Sequence, residues 1–414
     1  AFWRKSAMPC SRRHEGGKVV GKSLAGHCLT CAVALWASAA AAQEQQQPDF
    51  DYDALVEELP IESDVFDPPL TFKLFSGGEM RFYGQFNPTY QGFNDGEEFT
   101  SGIVDNGNWN SRVGFVLTQP ADGILLRARF ETALGFRNSA MVSQDYTPEW
   151  INWDPVWLRW FEVAGDGRYG TLSLGQGSSA SDGTAGLDDS FTFVAGATDS
   201  SDGFGSFRFR DSGGELTSVT VGAVNNSFDG ARRFRARYDT PVFGGVMLST
   251  SYGKNILVQE DDRHYYDVAA RWTGEIGDFA IRAAASYQWL DNPGGEDTRR
   301  VAGSGTVVHG PTGLNLAVSL GQQIDGASYV WGRAGWRKDV FEIGDTALSV
   351  DYCSGYDFLS DGARTVNYGI YGVQSLDAAS LDLYGGIRKF TYQDDLGTDY
   401  QDAYGVLTGM RFYF

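Results

Sequence analysis

The stretch Ile124-Leu-Leu-Arg-Ala-Arg-Phe-Glu-Thr-Ala-Leu134 decides how the chain is read. Its even positions, Ile124, Leu126, Ala128, Phe130 and Leu134, are apolar, and the odd positions Arg127, Arg129 and Glu131 are charged. A period of two residues is that of a β-strand, whose successive side chains point to opposite faces. One face therefore suits hydrocarbon. The other must meet water, because a cation on a lipid face at mid-bilayer costs about 2–4 kcal/mol.

The same pattern continues outward in both directions. At the far end Tyr404, Val406, Met410, Phe412 and Phe414 share one face, with Gly405, Gly409 and Arg411 on the other. Between Glu79 and Phe414 sixteen alternating segments of this kind follow one another, separated by turns rich in Gly, Asp, Asn and Pro, which is a pattern of antiparallel strands. The turns after even strands are tight, as at Pro120-Ala-Asp-Gly123, Pro241-Val-Phe-Gly-Gly245 and Gly310-Pro-Thr312, whereas the links 91–107, 137–154 and 177–231 after odd strands are long. Long and short ends on opposite rims, with an even strand number, predict an all-β, 16-stranded antiparallel transmembrane β-barrel. The aromatic residues Tyr90, Trp109, Trp157, Trp289, Tyr356 and Tyr384 lie near strand ends, where interfacial girdles form.

Composition narrows the classes. The 414 residues include 53 Gly, only 12 Pro, 27 Phe, 20 Tyr and 11 Trp, so the chain is not a disordered one. Acidic residues outnumber basic ones 53 to 33, which speaks against nucleic acid as a partner. Residues 1–42 place Arg12, Arg13, Lys18 and Lys22 before the apolar run Leu24 to Trp36 and end on four alanines, the order of a secretory signal peptide. Cleavage near Ala42 removes six basic residues and one acid, leaving 27 against 52, a formal charge of −25. It also removes Cys10, Cys28 and Cys31, so Cys353 has no partner for an intrachain disulfide. Residues 43–77 are expected to be an acidic periplasmic extension, and 78–414 the barrel.

The inward faces carry the candidate function. Alternation places Arg81, Arg112, Arg127, Arg129, Arg159, Arg233, Arg235 and Arg237 inside, all from the first six strands, so one wall of the lumen is expected to be basic. The connection 177–231 is too long for a hairpin and carries Asp182, Asp188, Asp189, Asp199 and Asp202. Folded into the lumen as a long third loop, it would set these carboxylates opposite the arginines and sort solutes by charge and size. Two segments within it, FRFRD at 207–211 and LTSVTVG at 216–222, are candidates for extra strand pairing.

YGTLSLGQ at 169–176, RARYDTPVFGG at 235–245 and the terminal GMRFYF at 409–414 resemble the corresponding segments of general outer-membrane porins of Gram-negative bacteria, the alphaproteobacterial type most of all. The resemblance spans roughly residues 78–414. It implies a homotrimer in the outer membrane, lipid contact around the wall, a third loop that forms the constriction, and Phe414 as a signal to the barrel-assembly machinery. Two positions depart from the family pattern, Gln176 after Gly175 and Val242 after the turn proline. The solutes implied are small, hydrophilic and passively diffusing; a channel specific for an anionic solute and a plugged structural or adhesive barrel are the alternatives.

No enzyme site emerges. Beyond residue 42 the histidines are His264 and His309, on different strands, which gives no nucleophile-His-acid arrangement. No cofactor is expected, and two histidines with one cysteine make no structural zinc site. The acidic loop at Asp95, Glu97 and Glu98 is the candidate place for loosely bound Ca²⁺.

Overall fold

The computed structural model describes residues 70–74 and 77–414. The expected signal peptide and most of the expected acidic extension lie outside the described residues. Strand alternation is cleanest where the side chains are simplest: in Leu314–Gln323 the residues Leu314, Leu316, Val318 and Leu320 are exposed, and Asn315, Ala317, Ser319 and Gly321 are buried. A water-soluble sheet would bury the leucines instead. The exposed apolar band is the outer face of the wall, and the polar or small residues face inward.

Sixteen wall strands result: β1 (Glu79–Phe86 and Pro88–Asn94), β2 (Phe99–Asp105 and Arg112–Ala121), β3 (Ile124–Ala133), β4 (Leu158–Gly167), β5 (Gly170–Ser178), β6 (Arg232–Asp239), β7 (Val246–Lys254), β8 (His264–Ile276), β9 (Phe279–Asp291), β10 (Thr298–His309), β11 (Leu314–Gln323), β12 (Ser328–Asp339), β13 (Asp345–Tyr356), β14 (Arg364–Leu376), β15 (Leu381–Gln393) and β16 (Ala403–Tyr413). Each pairs antiparallel with its sequence neighbour. β16 returns to β1, pairing Tyr404 with Asn94, Gly409 with Thr89 and Phe412 with Phe86, so no edge is left open. Closure matters because unpaired backbone N–H and C=O groups in hydrocarbon each cost several kcal/mol.

The link expected over 91–107 is largely strand. β1 runs to Asn94 and β2 starts at Phe99, the hairpin closing in four residues because Asp95 Oδ1 accepts from the N–H groups of Glu97 and Glu98 at 3.1 and 2.8 Å. What reads as a loop is the interruption of β2 between Asp105 and Arg112, where polar residues form a short turn. The end of the expected extension is also structured: Leu70–Lys73 pairs with the Glu79–Phe82 end of β1. Two of the expected girdle aromatics sit inside. Tyr384 is buried on the Asp382 face of β15 and bonds Asn87 and Asn106, and Trp109 packs on Phe193. On the outer face His264, Tyr252, Tyr266 and Trp289 stack in succession at 5.9, 5.0 and 5.2 Å near the long-loop rim.

The seam depends on one glycine. Gly84 and Phe414 exchange both backbone hydrogen bonds at 3.0 Å, and a Cβ on Gly84 would stand 2.5 Å from the Phe414 ring and 2.9 Å from the Arg112 carbonyl. Gly84→Leu should displace Phe414 and open the seam. The expected outcome is loss of the heat-modifiable folded band on cold SDS gels, with Gly102→Leu, where a Cβ meets nothing within 4 Å, retaining it.

Candidate functional site: a loop belt facing an arginine arc

Between β5 and β6 the chain leaves the wall for residues 179–231. Its first part follows the inward face strand by strand, held at each by a small or charged side chain. The hydroxyl of Ser251 on β7 accepts from the Ala180 N–H at 2.8 Å, and Arg271 on β8 donates to the carbonyls of Ala180 and Asp182 at 2.9 and 2.8 Å. Ser286 on β9 meets the Thr184 hydroxyl at 2.7 Å. Ser304 on β10 accepts from the Leu187 N–H at 3.0 Å, and Ser319 on β11 donates to the Ala185 carbonyl at 2.8 Å. Ser349 on β13 pairs with the Thr192 hydroxyl at 2.6 Å. Arg388 on β15 donates to the Ala197 carbonyl at 2.9 Å, and Gln91 on β1 to that of Gly203 at 2.7 Å.

Glycines let the belt lie close. A Cβ on Gly405 of β16 would overlap the Phe204 ring at 2.5 Å, and one on Gly386 of β15 would stand 3.1 Å from the Ala195 carbonyl. Behind the belt, Phe204, Phe207, Phe209, Val221, Val224 and Phe228 pack on inward residues such as Phe93, Trp331, Phe390 and Leu407 in one apolar core. Arg208–Arg210 and Leu216–Thr220 form a small two-stranded sheet of their own, in the two segments singled out for extra pairing. Asp199 ties the outgoing and returning parts together, accepting from the Ser201 N–H at 2.9 Å and the Ser227 N–H at 3.0 Å. Asp229 accepts from Gly183 and Ala185 at 2.9 and 3.0 Å, while burial and the neighbouring Asp182 push its carboxyl up to about 7.

A fully buried ion cluster clamps the middle of the belt. Arg333 on β12 donates to Asp188 at 2.6 Å and to Asp351 on β13 at 2.8 Å, and Arg388 also binds Asp351. Asp189 pairs with Arg282 on β9. Sequence reasoning did not single out Arg271, Arg282, Arg333 or Arg388. Their signal was present in the alternation, since Arg333 shares a face with Tyr329 and Trp331.

The belt meets β2 at Asn106, whose Nδ2 donates to the Val194 carbonyl at 2.9 Å, and the β3–β4 connection at Ser139, whose hydroxyl donates to the Asp202 carbonyl at 2.7 Å; the strands β3–β6 hold most of the arginines identified from sequence. These are neutralised within the wall. Glu131, with no exposed surface, receives Arg129 at 2.9 Å, Arg112 at 3.8 Å and Arg159, plus the Tyr83 hydroxyl at 2.7 Å. Arg159 reaches it through a bulge that pairs Glu131 with Trp160 and Thr132 with Leu158. Arg127 pairs with Asp166 at 3.2 Å, Arg235 with Glu162 at 2.5 Å, Arg237 with Asp239 at 2.8 Å and Arg81 with Glu79 at 3.8 Å. Arg129 also lies over the Trp160 ring at 4.0 Å. Among the described residues Arg233 makes no such pair; it lies over Tyr265.

The expected confrontation of loop aspartates with these arginines is therefore mostly absent. Asp188 and Asp189 are taken by arginines of the belt's own side, because the belt runs against β9–β13 and turns those carboxylates toward the wall. Asp182 contributes its carbonyl to Arg271, and Asp199 caps the belt. Asp202 is the exception: it is exposed and within electrostatic reach of Arg159 and Arg232. Asp95 and Glu98, the candidate Ca²⁺ carboxylates, pair with Arg210 at 2.8 and 3.1 Å, and Glu97 accepts from Gln401. His264 opens β8 at the long-loop rim and His309 ends β10 at the short-turn rim, each bonded to a hydroxyl of its own neighbourhood.

A family model described as Gram-negative porin matches residues 29–395. No curated protein matches the chain. Among solved structures the chain is similar to an anion-selective porin from Comamonas acidovorans, with a TM-score of 0.55 at 15% identity over 81% of this chain and 100% of that one. It is also similar to OprB of Pseudomonas putida, with a TM-score of 0.55 at 8% identity over 81% and 94%. A third likeness is to the trimer form of in-vitro folded OmpT of Vibrio cholerae, with a TM-score of 0.50 at 14% identity over 81% and 99%.

The clamp predicts its own failure. Arg333→Met leaves Asp188 and Asp351 without that partner in a dry site, which typically costs about 3–5 kcal/mol. Thermal unfolding of the variant should fall, and limited proteolysis should cut within 179–200, where the parent chain is protected.

Proposed function

From the premise that the chain belongs to the Gram-negative porin family, we propose that residues 179–231 occupy the lumen and narrow it against the arginine arc. The protein is an outer-membrane porin, a closed 16-stranded barrel for the passive diffusion of small hydrophilic solutes. The observation that carries the constriction is the run of contacts from Ser251 on β7 to Gln91 on β1, all made by inward residues, with the strands β3–β5 outside that run. The path lies between Asp202 on the belt and the Arg129–Glu131–Arg159 group on the wall.

Charge in the path is largely offset at short range, arginine against carboxylate, so little net field remains to select ions there. The acidic loops at the rims then set a weak cation preference, and salt shortens their reach. A homotrimer is the assembly we propose. It is supported by the trimeric OmpT relative in fold and by the short wall strands β3–β5, of nine or ten residues against thirteen in β8 and β9, which leave a low side for a neighbouring subunit to cover. Phe414, seated at the seam, is the proposed contact for barrel assembly.

In a planar bilayer the purified protein should give conductance linear in KCl, with weak cation preference at low salt that fades at high salt. Desolvation and the neighbouring Asp199 raise the Asp202 carboxyl to about 7, so in recordings made above that pH Asp202→Asn should shift the reversal potential toward anions, and Asp189→Asn should shift it less, its carboxylate being paired with Arg282. Strong, saturable selectivity for one anion would favour the substrate-specific reading. No conductance from folded protein would favour a plugged barrel.

A further inference from the structure

Most inward arginines among the described residues are paired with a carboxylate, and Arg271, which is not, is met by the carbonyls of Ala180 and Asp182; Arg233 and Arg300 have neither kind of full partnership. Arg233 on β6 and Arg300 on β10 face inward near the long-loop rim, and among the described residues neither has a carboxylate at ion-pair distance. Arg233 donates one Nη1 hydrogen bond to the Arg232 carbonyl at 2.8 Å, and its Nε is buried with no hydrogen-bond partner. Arg300 donates from Nε to Gln323 at 3.2 Å. Each guanidinium lies over an aromatic ring, Arg233 over Tyr265 at 4.2 Å and Arg300 over Phe228 at 5.4 Å. Both rings are fixed: Tyr265 donates its hydroxyl to Asp261 at 2.9 Å, and the Phe228 carbonyl accepts from Gln288, the cross-strand neighbour of Arg300, at 2.6 Å.

A third cation borders the pair. Arg263, in the rim loop, lies over the same Tyr265 ring at 5.5 Å, its own charge met by a two-point bond to Asp261 at 2.8 and 2.9 Å. Arg233, Arg263 and Arg300 lie within electrostatic reach of one another. Asp267, within electrostatic reach of Arg233, is buried and accepts from Ser251 at 3.0 Å. Two half-buried guanidinium groups without a pairing carboxylate are costly as a resting arrangement, and a planar guanidinium with unused donors offers the fork geometry by which arginine binds oxyanions.

We propose that Arg233 and Arg300, bordered by Arg263, form a binding site for small multivalent oxyanions of the phosphate type on the lumen wall at its long-loop end. The site deepens the channel reading and rests on it: solute entering from that rim meets these groups before the belt. Phosphate is favoured over chloride because two fixed guanidinium forks engage several oxygens at once. The binding is a weak, reversible stop on the diffusion path.

The test is single-channel recording of the wild-type protein in KCl with inorganic phosphate added, against KCl of matched ionic strength. Sulfate and succinate are run as oxyanions of other shapes. The site predicts a saturable drop in KCl current with phosphate. The half-effective concentration should rise about tenfold or more in Arg233→Gln and in Arg300→Gln, each losing charge-assisted hydrogen bonds. Should either glutamine variant fail to insert, the Arg→Lys variants, which keep the charge and lose the fork, should bind phosphate at least about threefold more weakly. A current that follows ionic strength alone, or block unchanged in the variants, overturns the site and leaves the channel standing. A folded wild-type protein that carries no current overturns both.

Discussion

Everything in this structure follows from the requirement that backbone hydrogen bonds be satisfied within hydrocarbon. A sheet meets it only by closing, and here closure comes down to β16 against β1, with Gly84 and Phe414 exchanging hydrogen bonds at the last position. Once the sheet is closed its two faces have different solvents. The outer face takes leucine, valine and aromatics, with arginines such as Arg299 and Arg364 only at strand ends, and the charged residues in the middle of the strands must be placed inside. A crowded, charged interior is thus a consequence of the wall.

Sixteen strands enclose more space than side chains can fill, and in the proposed reading the segment 179–231 uses that space unevenly. On one side its apolar residues build a core against the wall and its backbone is taken by serine hydroxyls, so that side resembles the interior of a soluble protein. Along β2–β6 the arginines stay in the wall, paired with Glu131, Glu162, Asp166 and Asp239. Local pairing keeps the guanidinium groups ordered while cancelling most of their field. The barrel thus has an aqueous path with fixed walls and modest net charge, as passive diffusion of mixed solutes requires, and Arg233 and Arg300 are where that cancellation lapses.

The sixteen strands were legible because alternation is a one-dimensional property of the chain: the segment 124–134 carries its own faces, whatever it pairs with. The same logic placed Arg127, Arg129, Arg235 and Arg237 inside. It missed β2 across 99–105, where polar and small residues at an interruption dilute the pattern, and it misjudged Tyr384, whose partners Asn87 and Asn106 are nearly three hundred residues away. Pairing was the larger gap. That Asp188 belongs to Arg333 follows from the course of a loop through three dimensions, and no spacing in the sequence encodes it. Nor did Ser286, Ser304, Ser319 and Ser349 announce themselves. An inward serine reads as merely small until a second chain segment needs its hydroxyl.

The central claim is that the 179–231 belt borders the conduction path at Asp202. It is tested most directly by Asp202→Cys in a background with the native cysteines replaced by serine, treated with a bulky charged thiol reagent during single-channel recording. A stepwise loss of conductance on labelling is the predicted result, with no change for a cysteine at Thr250 on the outer face. Full labelling at position 202 with conductance unchanged would contradict it.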